Sequence, residues 1–303
     1  VEGFSETYFG KVRDNYILAD GRRVLVTTDR QSAFDRNLGL IPLKGQALTQ
    51  LSSWWFEQTK DIVTNHLLEM PDQNVVIGKN VTPVPIEMVI RGYLSGSTGT
   101  ASWTAYDRGD RVYCGHTLPD GMHKNQAFPE PLITPTTKSD VHDENIDFFS
   151  VRENGLVKPE IWDQMVEATF ALFARGQELA QKGGLILVDT KYEFGVDENG
   201  ELVLIDEIHT SDSSRFWKAD TYEARIEAGE EPENFDKEFL RLWFRERCDP
   251  YNDETLPEMP DDFRIEVAMR YIETYERITG QDFVLPEGNV QERVEAVVAA
   301  LAG

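Results

Sequence analysis

Apolar positions alternate along some stretches of the chain and recur every three to four residues along others. Residues 6–28 alternate on either side of Asp20-Gly21, which predicts a β-hairpin turning there. From 45 to 59, Leu48, Leu51 and Trp55 recur at helical spacing. Residues 84–94 read as an apolar extended segment that runs into the glycine-rich stretch Gly92 to Gly99. Residues 111–147 are rich in Pro, Thr and Asp and predict mainly loop. Ile161, Met165, Ala168 and Leu172 line one face of a helix over 161–180, which Gly183-Gly184 stops. Leu185 to Val188 is a short buried strand, and alternation continues through Phe194. A turn at Asp197 to Gly200 then leads into a second strand, Leu202 to Ile208. In the tail, Ile265, Ala268, Met269, Ile272 and Tyr275 share a helical face, ended by Gly280. Strands and helices are mixed, with hairpins rather than regular βαβ units, so the pattern predicts an α+β fold.

The 303 residues allow one large domain or two to three packed subdomains. With 40% apolar residues the chain is globular rather than disordered. No apolar run approaches the roughly 18 residues of a membrane span, and Val1 to Asp14 is polar, with no signal-peptide core. Cys114 and Cys248 lie far apart without metal-ligand spacing, which fits a reducing cytoplasm. These features predict a cytoplasmic protein with no membrane partner. No interface pattern is legible, which leaves a monomer or a small homo-oligomer. A net charge of −24 argues against a nucleic-acid partner. Much of the acid lies in solvated stretches such as Glu227 to Glu233 and Asp253 to Asp262. An acidic soluble surface explains it, with a high-salt habitat as the alternative. Against that background, basic residues inside glycine-containing motifs mark where an anionic ligand binds.

The segment from Val188 to Ile208 concentrates charge. Strand alternation puts Asp189, Lys191 and Glu193 on one face and Thr190, Tyr192 and Phe194 on the other. Asn199-Gly200 signals a two-residue type I′ turn, which sets Glu193 opposite Asp206 and Asp189 opposite Thr210. Like charges directly opposed on a sheet are unfavourable by about 0.2–1 kcal/mol, so something compensates them. Lys191 is one candidate. The other is a Mg²⁺ ion carrying nucleotide phosphates, since Mg²⁺ takes one or two carboxylates plus phosphate oxygens. A salt-bridge ladder without metal reads equally well from these residues, and a four-residue turn would shift the register.

Three further segments suit anions. Gly10-Lys11-Val12-Arg13-Asp14 opens the first hairpin without Walker A or dinucleotide-fold spacing. Its glycine permits close backbone approach to phosphate, and Lys11 and Arg13 share a face. An ordinary exposed basic strand is the plainer reading. Ile90 to Ser97 sets small residues with free amides beside Arg91, where a flexible loop is the plainer alternative. Ser211-Asp212-Ser213-Ser214-Arg215 is either an anion cradle or a capped helix start.

These motifs occur in one order with others: Thr28 to Asp35 (with Gln31-Ser32-Ala33-Phe34), Pro85 to Ser97, Thr134 to Lys138 with His142 to Asn145, Leu187 to Gly195, Asp206-Glu207 through Arg215-Phe216-Trp217, and Asp236 to Phe239. From about residue 8 to 280 the chain resembles the SAICAR synthetase (phosphoribosylaminoimidazole-succinocarboxamide synthase) family, in its longer-chain form. The resemblance implies a two-lobed α+β fold. A β-rich lobe over 1–100 covers the nucleotide. A larger lobe over 101–303 carries the metal hairpin (185–208) and the C-terminal helices, with ATP in the cleft. It implies that ATP, L-aspartate and carboxyaminoimidazole ribonucleotide (CAIR) give the succinocarboxamide ribonucleotide, ADP and phosphate through an acyl phosphate. By position, Lys11, Arg13 and Glu193 would contact ATP. Glu87 to Val89 would serve as an adenine hinge through backbone groups. Glu193 and Asp206 would hold Mg²⁺. Arg91, Ser97, Asp212, Ser214 and Arg215 would bind CAIR. Asp189 and Lys191 would act at the reacting carboxylate and phosphoryl group. Ser32, Asp35, Lys138, His142 and Asp143 would line or close the aspartate site. The base for aspartate's amine is left among His142, Asp212 and His209. Two other classes compete: another ATP-dependent small-molecule kinase or ligase on the same lobes, and a non-catalytic nucleotide-binding scaffold. The intact motif residues count against the scaffold.

Overall fold

Two long apolar stretches, 82–93 and 185–196, pair with each other, and this pairing decides how the chain is divided. The computed structural model describes residues 3–138 and 144–302. Contacts separate one unit, Val1–Glu57, His66–Asn80 and Phe239–Gly303, from a second, Gln58–Asn65 and Val81–Glu238. The division differs from a split at residue 100. Strand Thr82–Tyr93 is bound to its partner Leu185–Val196 in the second unit. The C-terminal helices pack in the first, where Leu240, Phe244, Phe263, Val267 and Tyr271 share a core with Phe34, Ile41, Ala47 and Leu48.

The first unit has a five-stranded antiparallel sheet in the order Phe4–Phe9, Arg13–Leu18, Arg23–Thr27, Val75–Gly78, Leu67–Asp72. The Asp20-Gly21 turn forms as expected, with Gly21 at φ 86° and the Asp20 carboxylate accepting the Arg22 N–H at 3.0 Å. The predicted single hairpin is instead a three-stranded meander. Gly10 donates to the Arg13 carbonyl at 2.8 Å, so Gly10 to Val12 is itself a turn. In helix Asp261–Thr279 the buried stripe is Phe263, Val267, Tyr271, Thr274 and Ile278, with Ala268 and Tyr275 beside it. Ile265 and Met269, expected in the core, are 54% and 55% exposed. Two apolar stripes run side by side on this helix, and the aromatic one fills the core.

The second unit is built on a six-stranded antiparallel sheet. Ala127–Ile133, Thr82–Tyr93, Leu185–Val196 and Leu202–Ile205 lie in that order. Thr136–Thr137 joins Thr82–Tyr93, and Ser214–Lys218 joins Leu185–Val196. The strand Ala127–Ile133 falls in the region expected to be loop. It is an edge strand with a register break between Ala127 and Leu132, which is where Pro129 and Pro131 are tolerated. Helix Pro159–Lys182 starts with proline in its first turn and is followed by Gly184 at φ 73°. It covers one sheet face: Gly92 lies against Phe173 and Gln177, and Gly176 against Leu187 and His209.

The metal-hairpin register is corrected by one residue. Asp197 N–H bonds the Glu201 carbonyl and Gly200 N–H the Asp197 carbonyl, both at 3.0 Å, with Gly200 at φ 83°. This is a three-residue loop closed by a left-handed glycine, not a two-residue turn. Glu193 therefore faces Ile205, and Asp189 faces Arg215 rather than Thr210. The strand ends at Ile205, because Asp206 turns out of the ladder at φ 68°.

Gly176 tests the packing. In an exposed helix interior Gly→Ala stabilises by about 1 kcal/mol, but here a Cβ would sit 2.6 Å from both Leu187 Cδ2 and His209 Cε1. Gly176→Ala is expected to destabilise by about 1–3 kcal/mol, read as a lower urea midpoint at unchanged m.

Candidate active site

The face of the sheet opposite the long helix carries the charge. Arg91, Asp189 and Arg215 are registered across three adjacent strands, with Asp189 in the middle. A β-bulge at Val188 makes this alignment. Leu187 pairs with Phe216 and Asp189 with Arg215, so one residue is extra, and Leu187 turns to the helix while Asp189 turns away from it. Asp189 accepts from Arg215 and, at 3.4 Å, from Arg91. Ser95 bridges the group, 3.4 Å from Asp189 and 3.2 Å from Arg215. Arg91 also donates to the Thr134 hydroxyl at 3.0 Å. Arg215 continues to Glu238 at 3.3 Å. Burial pulls the Arg215 guanidinium down, but Asp189, Glu238 and Asp236 outweigh it and hold it above the ordinary arginine value. Among the described residues no acceptor faces the buried Arg215 Nε.

One strand step away lies a second cluster. Glu87 and Glu193 are directly opposed on the ladder. Lys191 sits between them, 2.7 Å from Glu87 and bonded to Glu193. Lys138 takes the other oxygen of Glu193, and Thr136 donates to Glu87 at 3.2 Å. Burial alone pushes Lys191 down, yet Glu193, Glu87 and Asp206 together keep its ammonium well above the usual lysine value. Burial likewise pushes Glu193 up, and Lys191 and Lys138 reverse it, to about 2. The like-charge pair inferred from sequence thus exists, but its members are Glu87 and Glu193. Asp206 acts on the cluster through its charge on Lys191.

The other predicted residues divide. Ser97 is half-buried on the loop after Ser95. Asp212 is engaged by Lys237 at 3.3 Å. Ser214 donates to Thr190 at 2.7 Å, and Thr190 alternates away from Asp189. Val89 does not offer a free hinge carbonyl: the Thr134 N–H takes it at 2.7 Å, because Thr82–Tyr93 is an interior strand. His209 is fully buried and its Nε2 lies 2.5 Å from the Tyr192 hydroxyl, on the helix-covered face. Burial pushes it down to about 3, which keeps it neutral. His142 and Asp143 lie outside the described residues. In the first unit, Lys11 Nζ is 3.0 Å from Asp35, Arg13 Nε is 3.4 Å from the Thr27 hydroxyl, and Ser32 pairs with Asn37.

Sequence reasoning passed over Ser95 as a site residue, although Gly96 beside it is a signal: at φ 97°, a Cβ there would lie 3.2 Å from Arg215 Nη2. Glu238 and Asp236 belong to the Asp236–Phe239 motif but not to the residues expected in the site. Asp236 accepts backbone N–H groups of Phe216 (2.7 Å) and Glu238 (2.6 Å), and burial pushes its carboxyl up to about 7. Among the described residues no three His, Cys, Asp or Glu side chains converge as a metal-binding group. The local donors are carboxylates, which suit Mg²⁺ completed by phosphate oxygens.

The α+β frame sets two arginines, two lysines and several carboxylates on one sheet face, a charge pattern that suits an enzyme acting on anionic small molecules. The family model for SAICAR synthetase matches residues 6–258. The chain is 53% identical to a phosphoribosylaminoimidazole-succinocarboxamide synthase of Legionella pneumophila (strain Lens), covering 96% of this chain and 94% of that one. The SAICAR synthase of Saccharomyces cerevisiae, solved in complex with SAICAR, is similar at TM-score 0.79 and 33% identity, with 93% and 97% coverage. A type-2 SAICAR synthetase solved in complex with ADP is similar at TM-score 0.70 and 25% identity, covering 92% of this chain and all of that one. The chain belongs to the SAICAR synthetase family, whose members are carbon–nitrogen ligases. Among the described residues no helix is long and apolar enough to cross a membrane.

His209 gives a pH test. Its folded value is about 3 against 6.5 ordinarily, so unfolding takes up a proton between those limits. The stability it contributes is fully present above about pH 6.5 and falls as pH drops, by up to about 1.4 kcal/mol per unit. His209→Gln is expected to flatten stability against pH between 6.5 and 4 in urea titrations. A slope equal to wild type would contradict the neutral buried state.

Proposed function

We propose that this chain joins the amine of L-aspartate to the carboxylate of CAIR at the expense of ATP, forming SAICAR, ADP and phosphate in de novo purine synthesis. The observation that carries the reading is the row Arg91–Asp189–Arg215 beside the Lys191 cluster on one sheet face. The CAIR carboxylate oxygen attacks the γ-phosphorus of ATP, and the bond to the β,γ-bridging oxygen breaks to release ADP. Aspartate's nitrogen then attacks the acyl carbon, phosphate leaves, and the nitrogen gives up a proton to form the amide. Arg91 and Arg215 hold the anionic groups of CAIR. Asp189 fixes both guanidinium groups relative to the substrate. Lys191, kept charged by Glu193, Glu87 and Asp206, stabilises negative charge on the transferring phosphoryl group, the main demand of such a transition state. Lys11 and Arg13 contact ATP phosphates. Glu193 and Asp206 would hold Mg²⁺, which when bound neutralises phosphate charge.

The test is ADP release measured with CAIR, L-aspartate and Mg²⁺, each omitted in turn. Multiple-turnover ADP formation is expected only when all are present; sustained phosphate transfer to a hydroxyl with no aspartate requirement would sink the ligase reading for this chain. Lys191→Met is expected to lower kcat about 10²–10³-fold, with Arg215→Leu raising KM for CAIR. Turnover unchanged in both Glu193→Ala and Asp206→Ala would remove the metal assignment.

A further inference from the structure

We infer that the turn Phe34–Asp35 is a strained clamp, in which Phe34 and Asp35 are positioning residues that fix the Lys11 ammonium for ATP. The inference rests on the reading of Lys11 as a phosphate contact. Strands Arg30–Ala33 and Arg36–Leu40 pair with Ala33 opposite Arg36, so Phe34 and Asp35 alone make the turn. Both are left-handed, at φ 54° and 58°. A two-residue turn with both positions left-handed favours Asn-Gly or Asp-Gly, and a bulky aromatic there is an outlier. The turns at Gly21 and Gly200 meet the same demand with glycine.

The surroundings over-determine the strained form. The Phe34 ring is buried, edge-on to Tyr251 at 5.3 Å and to Phe244 at 6.3 Å. On the next residue, Arg36 donates to the carbonyls of Asp253 at 2.7 Å and Glu254 at 3.0 Å. What this rigid turn presents is a carboxylate: Asp35 is half exposed and lies 3.0 Å from Lys11 Nζ, itself 61% exposed. Burial of the Phe34 ring offsets the strain at its own position, whereas the exposed Asp35–Lys11 pair adds little to stability, so stability does not account for the left-handed backbone at Asp35. Backbone strain held in place by packing concentrates where function needs a fixed group. A lysine on the Gly10–Arg13 turn has four free rotors, and Asp35 is the group that restricts them.

The experiment measures kcat, KM for ATP and Tm on the full chain for wild type, Lys11→Met, Asp35→Asn, Asp35→Gly and the double variant Lys11→Met/Asp35→Asn. Asparagine tolerates the left-handed backbone and removes only the charge; glycine also removes the strain. Lys11→Met and Asp35→Asn are each expected to raise KM for ATP about tenfold with less change in kcat, and the double variant to be no worse than Lys11→Met alone. Asp35→Gly is expected to raise Tm by about 1–2 °C while raising KM like Asp35→Asn, a combination that a purely structural turn does not give. Asp35→Asn within about twofold of wild type, an undiminished effect of Asp35→Asn on the Lys11→Met background, or a lower Tm in Asp35→Gly overturns the clamp. If Lys11→Met itself leaves KM for ATP unchanged, the phosphate reading of Lys11 falls and takes the clamp with it.

Discussion

Asp189 is the constraint around which the charged sheet face is organised. One carboxylate lies between two guanidinium groups on neighbouring strands, all buried. Two buried arginines without it would repel, and leaving buried charge uncompensated costs about 3–5 kcal/mol. The row therefore ties three strands into one register at one level. That register in turn sets Lys191 two residues along, level with Val89, and Glu193 level with Glu87. The bulge at Val188 is what brings Asp189 to the charged side while Leu187 stays under the helix.

The two clusters use opposite solutions to the same problem. Around Asp189 the cations outnumber the central anion, and Glu238 supplies further negative charge from the start of the following helix. Around Lys191 the carboxylates surround a cation, and Lys138 shares the excess. In each, burial opposes ionisation and specific partners overcome it, so both remain charged near neutral pH. A face whose charges are held by one another favours stabilising charge that develops during phosphoryl transfer.

Left-handed residues other than glycine occur in both units. Asp206 leaves the sheet by such a turn, His209 continues it, and Phe34–Asp35 forms one outright. The net charge of −24 is spread over the chain, with exposed acidic stretches such as Glu227 to Glu233 and Asp253 to Asp262 contributing to it.

Alternation alone determined that Asp189, Lys191 and Glu193 share a face, because a strand's side-chain period is fixed by its backbone. Composition and hairpin signals determined the α+β class, and the ordered motifs determined the family. Helix Pro159–Lys182 was legible because its apolar stripe and glycine stop are local. Register was not legible. One residue more in the Asp197–Glu201 loop moved the partner of Glu193 from Asp206 to Ile205, and a distant strand supplied Glu87 instead. Nor was the burial of His209, which depends on a helix some 30 residues earlier leaving space at Gly176. Local periodicity names the residues that can face one another; which of them do is decided by pairing and packing between segments far apart in the chain.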